Sequence, residues 1–484
     1  MPVYHIQPQD LLFFRDARPM ESQSPGGGHG ANWPHPGVFF DALHAALWRA
    51  FPDPSTVAGL DSIPFEDHSY FRKRDGRRTG DPAKRTYFQT LATAGPFPVR
   101  GSEWFFPAPA DAQPGGLSLP LDHDAGASDL PPPLRYPVVA NALPSKESLH
   151  PWWSKTAWEQ YLLHGALPCL PQAIPNADLF AAEWTTGIGT NPLTGTQDGE
   201  RIYSAEYLRL QESVRLGLWA TLPEGIAREE RLHRLFPDTE AAAQPTLIIG
   251  GQQRVCRVRR VRDIPLGQCL PVSQGFEALG TRVKWVLLSP ALFPASKTQD
   301  QRPHPGGWLP TWIDPGSPDV PLADDPRAGT VLLRPIRTKP RTGEPVHRSE
   351  RRSDSTQSLL GTCRLVAACV PKPIVVTGWT EACHVPEPTE GDTLSSGPLR
   401  RGPRETRLAV PAGAVYYFEC RTPEAARELW TALSWHGSQG ADADAVLHRR
   451  SSLRGEKGFG LGVCGPWDPF PAPRPTSPST PPGA

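Results

Sequence analysis

The chain has 484 residues, and its Lys+Arg 50 balances Asp+Glu 50, so net charge alone points to no nucleic-acid partner. With 59 prolines and 44 glycines it is built for long loops rather than long helices, yet 38% hydrophobic residues suffice for real cores. Eight scattered cysteines without a C-x-x-C pair exclude a zinc ribbon and a secreted disulfide framework, and the length corresponds to about two to four domains.

In chain order, MPVYHIQPQD is neither signal-like nor apolar enough to cross a membrane, which predicts a protein of a reducing, cytoplasmic compartment. Val3 to Gln7 alternates as a short strand that Pro8 stops. The run DLLFFRDARPM places Arg15, Asp16 and Arg18 just after an apolar cluster, and SPGGGHG (Ser24 to Gly30) is a glycine-rich loop holding His29. Phe39, Ala42, Leu43, Ala46, Leu47 and Ala50 then fall on one helical face, with Pro36 at its start and Pro52 at its stop.

Residues from about 52 to 182 form a long proline-rich insertion carrying the basic run Arg72 to Arg85. Within it, Ala108 to Pro133 is loop-like. RIYSAEYLRL (Arg201 to Leu210) and Val214 to Leu222 are strand-like runs close enough to pair as a hairpin. Ile226 to Phe236 is a short helix closed by Pro237, and Thr246 to Val258 is a strand that Gly250-Gly251 interrupts as a bulge or turn. Strand, helix, hairpin, helix, strand is the ferredoxin-like order.

That order recurs imperfectly downstream. Val283 to Ser289 is a strand, an insertion over about 294 to 360 follows, and Leu365 to Gly378 and Leu408 to Cys420 are strand-like. Thr422 caps a helix that has Pro423 at its first position and Ala426, Leu429, Trp430 and Leu433 on its face. A first helix for this half is not evident. The predicted fold is therefore α+β: a ferredoxin-like (RRM-like) domain over 1–264, a second over 265–467, and an unfolded proline-rich tail over 468–484.

Arg449 to Trp467 packs five glycines around Lys457 and Phe459, with Arg449, Arg450 and Arg454 upstream. Glycines this dense let backbone N–H groups approach a ligand, and basic neighbours suit phosphate. Lys457 is not followed by Ser or Thr, so this is no Walker loop, and a glycine-rich hairpin ending a β-rich domain is the plainer reading. Arg254 to Arg262, Arg334 to Arg352 and Arg400 to Arg407 are further basic runs, each either a solvated loop or part of an assembled basic surface.

The strand followed by FFRDARP, the glycine-rich loop, WPHPGVFFDALHAAL and the C-terminal GEKGFGLGVCG resemble the RAMP superfamily of CRISPR-associated RNA-binding proteins. GIGTNPLTGTQDGERIYSAEYLRL, IGGQQR, WVLLSPALFP and VPAGAVYYFE, in that order, resemble the RAMP subunit of type III-B Cmr complexes that holds the 5′ handle of the CRISPR RNA. The resemblance implies two facing ferredoxin-like domains with the crRNA 5′ tag between them. It also implies docking to a large polymerase-like subunit and a RAMP backbone subunit. Separately, no ligand spacing among His5, His29 and His35 supports a metal, and no cofactor or membrane contact is expected. Thr185-Thr186 stands where the family often has an arginine, so that contact is missing or supplied elsewhere.

RNA is held through its phosphates, and its single-stranded bases are read by stacking. The expected RNA contacts are Arg15, Arg18, His29, Arg254, Arg257, Lys457, Gly458, Phe459 and Gly460. Arg15 and Arg18 either do this or pair with Asp10 and Asp16. Arg257, Arg259 and Arg260 serve an RNA face or a protein interface. His29 supports a second reading, a metal-independent crRNA-processing endoribonuclease with His35 or Lys457 assisting, because a histidine of near-neutral pKa can act as general base.

Overall fold

The computed structural model describes residues 2–15, 28–50, 91–121, 129–141, 143, 145–169, 172–191, 193–222, 226–237, 245–261, 264–273, 280–295, 303–322, 324–333, 359–384, 399–403 and 406–470. The first half begins with strand β1 (Val3–Pro8) and helix α1 (Pro36–Ala50). Strands β2 (Ala92–Arg100), β3 (Glu103–Pro107), β4 (Ala112–Gln113), β5 (Gly116–Pro120), β6 (Val138–Ala140) and β7 (Trp152–Ser154) follow. Helix α2 (Lys155–His164) leads to β8 (Ala173–Ile174), β9 (Phe180–Thr190), β10 (Gln197–Leu210) and β11 (Val214–Thr221). Helix α3 (Ile226–Leu235), β12 (Thr246–Ile249) and β13 (Arg254–Val261) complete it.

The second half holds β14 (Arg282–Leu287), β15 (Cys363–Cys369), β16 (Ile374–Val376), β17 (Trp379–His384) and β18 (Leu399–Pro403). They are followed by β19 (Arg407–Ala409), β20 (Val415–Cys420), helix α4 (Pro423–Leu433) and β21 (Gly462–Pro466). The protein is mixed α+β. An eight-stranded sheet runs β12-β13-β1-β11-β2-β3-β7-β8 and a four-stranded sheet runs β15-β20-β14-β21, with every pairing between neighbours antiparallel.

Two expectations are corrected here. Arg201–Leu210 and Val214–Leu222 do not pair with each other: β10 pairs with β9, and β11 lies between β1 and β2. Nearly every residue of β11 is buried, which suits a central strand, whereas β9 leaves alternate residues exposed. The third member of that central trio, β2, lies inside the stretch read as an insertion from 52 to 182. Gly95, Pro96 and Pro98 hid it, since proline cannot donate to a ladder and argues against a central strand; the ladder shifts register between Gly217 and Trp219 beside them. The Gly-Gly step at 250–251 is a turn joining antiparallel β12 and β13, not a bulge. Residues 51–90, 334–358 and 471–484, with their basic runs and most of the tail, lie outside the described residues.

The helices begin where the sequence provides caps. Ser154 accepts the Ala157 N–H at 3.2 Å to start α2, and Gly165 ends it at φ +63°. Thr422 accepts the Ala425 N–H at 3.2 Å ahead of Pro423. Phe39, Phe40, Leu43 and Leu47 of α1 close one core against Tyr4, Ile6, Leu216 and Leu218. Each such side chain contributes about 1.5–3 kcal/mol by leaving water. The opposite face of the same sheet shares a core with the second sheet: Val3, Ala94 and Trp219 pack with Val286, Tyr417, Trp435 and Leu461. No helix among the described residues is long and apolar enough to cross a membrane.

At the centre of this shared core is a buried charge. Asp111 is fully enclosed and accepts the hydroxyl of Tyr161 at 2.7 Å and that of Tyr417 at 2.9 Å, while Lys284 Nζ lies 3.9 Å away. The ammonium also sits 3.7 Å from the centre of the Tyr161 ring. Burial lowers the Lys284 pKa and Asp111 opposes that; burial and then Asp111 push both tyrosines well above their ordinary value, which keeps them donors. Breaking a buried pair by removing one member typically costs about 3–5 kcal/mol. Asp111→Ala should therefore lose about that much in urea unfolding, and Asp111→Ala with Lys284→Met should lose less, because no ammonium is stranded. A double variant as unstable as the single would show that the pair does not hold the core.

His436 is enclosed beneath the second sheet, where its Nε2 accepts the Ser273 N–H at 2.9 Å. Burial lowers its pKa to about 4, and His5 is lowered to about 4 by burial and then by Arg215 and Arg259. A histidine whose folded pKa lies below its unfolded 6.5 binds its proton first in the unfolded chain. Stability is then flat above pH 6.5 and falls as pH drops from 6.5 toward 4. His436→Gln, which keeps an acceptor and cannot charge, should lose part of that fall in thermal melts across this range; an unchanged acid limb would exclude His436 as a contributor.

Candidate nucleic-acid interface

Three segments distant in sequence meet where β1 leaves its sheet. Leu12 pairs with Leu208 of β10, Gly28 with Ala205, and Arg15 with Gly30, so the strand exit, the end of the glycine-rich loop and the β9–β10 hairpin are laced together by backbone. Leu11, Phe13, Ala205 and Tyr207 form a small core of their own beneath this junction. The β12–β13 turn closes it: the Gly251 N–H reaches the Phe13 carbonyl at 2.9 Å. Gly250 has φ +72°, and a Cβ there would stand 2.5 Å from the Phe13 carbonyl oxygen, so glycine is required at that position.

Gln252 is a non-glycine residue at φ +57°, a conformation that costs energy and that its side chain helps to hold. Its Oε1 accepts the Tyr207 hydroxyl at 2.5 Å and an Arg254 N–H at 3.1 Å. The Arg254 guanidinium lies 4.9 Å over the Tyr207 ring and 3.6 Å from Asp10. It thus lies over an aromatic ring at cation–π distance, held there by Asp10 and Gln252, and a guanidinium is a group on which a base can stack. Arg209 reaches Glu183 at 2.6 Å and Asp10 at 3.8 Å, and its hydrogen bond holds the Glu183 carboxyl below its ordinary value.

His29 places Nδ1 3.2 Å from Glu206 and its ring edge-on to Trp184, with centroids 5.2 Å apart. Trp184 is 49% exposed on the hairpin, with Ile188 four residues farther along the same strand and Leu193 at the tip, both exposed. Arg15 is exposed beside them, and Arg257 is exposed on β13. Arg18 lies outside the described residues, as does the Tyr203 side chain. Among the sequence-predicted residues, Arg15, His29 and Arg254 are therefore brought to one region. Tyr207, Gln252 and Trp184 were missed. Their only signals were alternation in SAEYLRL, the Gln-Gln after Gly-Gly, and an aromatic in a polar strand.

The glycine-rich loop behaves differently from its reading as a ligand cradle. Phe459 is completely buried with Leu292, Val376 and Ala409, so its ring is not placed to stack on a base. Lys457 gives its ammonium to Asp41 of α1 at 2.6 Å and lies 4.9 Å over Phe40. Lys457 therefore does not stand ready to assist His29. Gly458, at φ +92°, abuts the Thr93 carbonyl, and Gly460, at φ +77°, abuts the Ser451 backbone. Upstream, Arg450 is buried and donates to the Ala432 carbonyl at 2.6 Å, and Arg449 lies 5.4 Å over Trp219. The glycines serve close packing, Gly458 against the first half of the molecule and Gly460 within the second.

Among the described residues no group of three His, Cys, Asp or Glu side chains is placed to hold a metal ion. The family model of the CRISPR-associated protein Cas_Cmr3 matches residues 4–467. The chain belongs to the Cas_Cmr3 family. It is thus a RAMP-related subunit of the type III-B Cmr complex. No curated protein matches the sequence.

Solved structures show partial likeness to this Cas_Cmr3 chain. One is a chain of the type III-B Cmr-beta complex bound to cognate target RNA, with 12% identity over 86% of both chains and a TM-score of 0.37. Another belongs to the Csm3-Csm4 subcomplex of the type III-A CRISPR-Cas interference complex, with 8% identity over 86% of this chain and 92% of that one and a TM-score of 0.35. A third belongs to the Csm1-Csm4 cassette in complex with pppApA, with 14% identity over 61% and 78% and a TM-score of 0.26. Family membership stands on the sequence match, which spans both sheets.

For this Cas_Cmr3 chain the packing of Phe459 yields a direct prediction. Phe459→Ala should destabilise by about 3–5 kcal/mol through lost burial and a cavity, read as a lowered urea midpoint. A variant of wild-type stability with weakened RNA binding would instead return the ring to the ligand.

Proposed function

We propose that the chain is a non-catalytic RNA-binding and architectural subunit that anchors the repeat-derived 5′ tag of the crRNA and docks the large polymerase-like subunit to the RAMP backbone. The observation that carries this reading is the Cas_Cmr3 match across residues 4–467. Both sheets support the ferredoxin-like part of it. In the first, β13-β1-β11-β2 has fourth, first, third and second strands side by side, with α1 and α3 as the two helices. In the second, β21-β14-β20-β15 repeats that order with α4 as its second helix.

The tag's contacts are then Arg254 on its Tyr207 support, Arg15, the His29–Trp184 pair and Arg257. Arg18 joins them by its place in sequence, while Lys457, Gly458, Phe459 and Gly460 act by holding α1 and the first sheet in position. Base–aromatic stacking is worth about 1–3 kcal/mol per base, so the half-exposed Trp184 indole is the strongest single platform.

Photocrosslinking of the assembled complex to a crRNA with photoreactive bases in its 5′ tag tests the assignment. Crosslinks should map to peptides containing Trp184, Arg254 or Arg15. Trp184→Ala should weaken RNA binding without altering its salt dependence, whereas Arg254→Ala should weaken binding and flatten that dependence. Crosslinks confined to other subunits would reduce the chain to a scaffold. In the same complex His29→Ala should leave crRNA length unchanged; longer crRNA in that variant would favour the endoribonuclease.

A further inference from the structure

Two thiols that the RNA reading leaves unused stand opposite each other in the second sheet. Cys363, the first residue of β15, and Cys420, the last of β20, are direct cross-strand partners. Their backbones turn away from each other: the Cys420 N–H donates to the Thr281 carbonyl at 2.7 Å, and the Cys363 carbonyl accepts the Val331 N–H at 3.0 Å. The Leu365 N–H, two residues on, likewise leaves the β15–β20 ladder for the Gly329 carbonyl at 2.8 Å. The pair therefore occupies a non-hydrogen-bonded site of the ladder, where opposed Cα atoms approach to about 4.5 Å and side chains come closest. A disulfide spans Cα separations of about 4.4–6.8 Å. Both side chains enter one core with Ala425 and Leu429 of α4, and both are free thiols. The Cys363 thiol donates to the Ala425 carbonyl at 3.5 Å, and the Cys420 thiol hydrogen-bonds to Cys363. Among the described strands no other register pair joins two cysteines: Cys256 faces Pro8 and Leu247, Cys369 faces Val415, Cys383 faces Arg400 and Cys464 faces Trp285.

We propose that Cys363 and Cys420 are a redox couple that closes a cross-strand disulfide when hydrogen peroxide reaches the end of the β15–β20 ladder, and that thiol reductant reopens it. In the first step the Cys420 thiolate attacks one peroxide oxygen. The O–O bond breaks, the sulfur becomes a sulfenic acid, and the departing hydroxide takes a proton to leave as water. The Cys363 thiolate then attacks that sulfur, the S–O bond breaks, and a second water leaves. The two thiols together lose two electrons and two protons, and the peroxide is reduced to two waters. Cys420 acts first because it is the more accessible, 7% exposed against 0% for Cys363. Its hydrogen bond to Cys363 and then burial push the Cys420 thiol far above its ordinary value, so the closed ladder resists oxidation. Both residues are strand termini, where local opening costs least. The couple therefore responds to peroxide only when this end of the ladder frays. Once closed, the disulfide fixes the strand that takes the Arg135 and Tyr136 N–H groups at Val366 to the strand whose Tyr417 holds Asp111. Oxidation thus tightens the contact between the two halves, independently of any bound RNA.

The test treats the reduced full chain with hydrogen peroxide, blocks the remaining thiols with iodoacetamide in urea, and maps every cysteine by peptide mass spectrometry. The expected product is a peptide pair joining Cys363 to Cys420, two hydrogens lighter than the reduced pair and separated again by dithiothreitol. Urea held below the unfolding midpoint should speed its formation, because it opens the ladder end. The oxidised chain should unfold at a higher urea midpoint than the reduced chain, since the link closes the long loop between the two strands. Cys420→Ala should abolish both the linked peptide and the midpoint shift. The peptide map needs no variant, so a poorly folding Cys420→Ala leaves the test intact. Recovery of Cys363 and Cys420 as alkylated thiols, both in buffer and in sub-denaturing urea, would overturn the proposal. So would oxidation of Cys420 to its sulfinic acid with Cys363 still alkylated, because the partner thiol would then have failed to reach it.

Discussion

Asp111 ties together parts of the chain that no local preference would assemble. Its carboxylate receives a hydroxyl from α2 and another from β20, and faces an ammonium from β14. Around it, the Ala110 N–H donates to the Gly413 carbonyl at 2.8 Å, and the Arg135 and Tyr136 N–H groups both donate to the Val366 carbonyl. The strand–loop segment after β3 is thereby clamped onto the second sheet, and α2 with it. A charge buried this deeply is tolerable only while every partner is present. The relative placement of the two sheets thus depends on a polar contact inside an apolar core, which apolar packing alone would leave free to slide.

The junction at the end of β1 is organised by a different balance. Its arginines are neither free nor fully neutralised: Arg254 and Arg209 share Asp10, and Arg209 also holds Glu183. Exposed pairs like these add little stability. Their effect is orientation. Asp10 and Gln252 hold the Arg254 guanidinium over Tyr207, so the surface proposed to meet a nucleobase is already formed and would lose less side-chain entropy on binding. Backbone bridges from Leu12, Gly28 and Arg15 carry the hairpin as part of the same unit, which keeps Trp184 in register with Arg254.

Elements whose physics is local were legible in the sequence. Thr422-Pro423, the apolar stripe of Phe39 to Leu47 and the alternation of Val3 to Gln7 each specify their structure within a turn or two. Strand β2 was not legible, because two prolines and a glycine contradict its propensity and only its neighbours β11 and β3 make it a strand. Asp111 was hidden for the same reason: in a loop-like run it reads as a solvated acid, and its role comes from Tyr161, Tyr417 and Lys284, which lie 50 or more positions away. At the candidate site, arginines and the histidine could be picked by chemistry, but Tyr207 and Gln252 matter through a contact across 45 positions that no spacing rule encodes.

The glycine-rich stretch shows how one composition serves two ends. Dense glycine suits a phosphate cradle and suits equally a chain squeezed between packed layers, because both need a missing Cβ. Burial decides between them. Phe459 fills a hydrophobic pocket, Gly458 and Gly460 lie against backbone, and Lys457 is spent on α1. The loop therefore acts at one remove: through Asp41 and Thr93 it sets where α1 and β2 lie, and β2 in turn borders β11. A lesion in this loop would shift α1 and the first sheet as a body, whereas a lesion at Arg254 would remove one contact from a surface that stays in place.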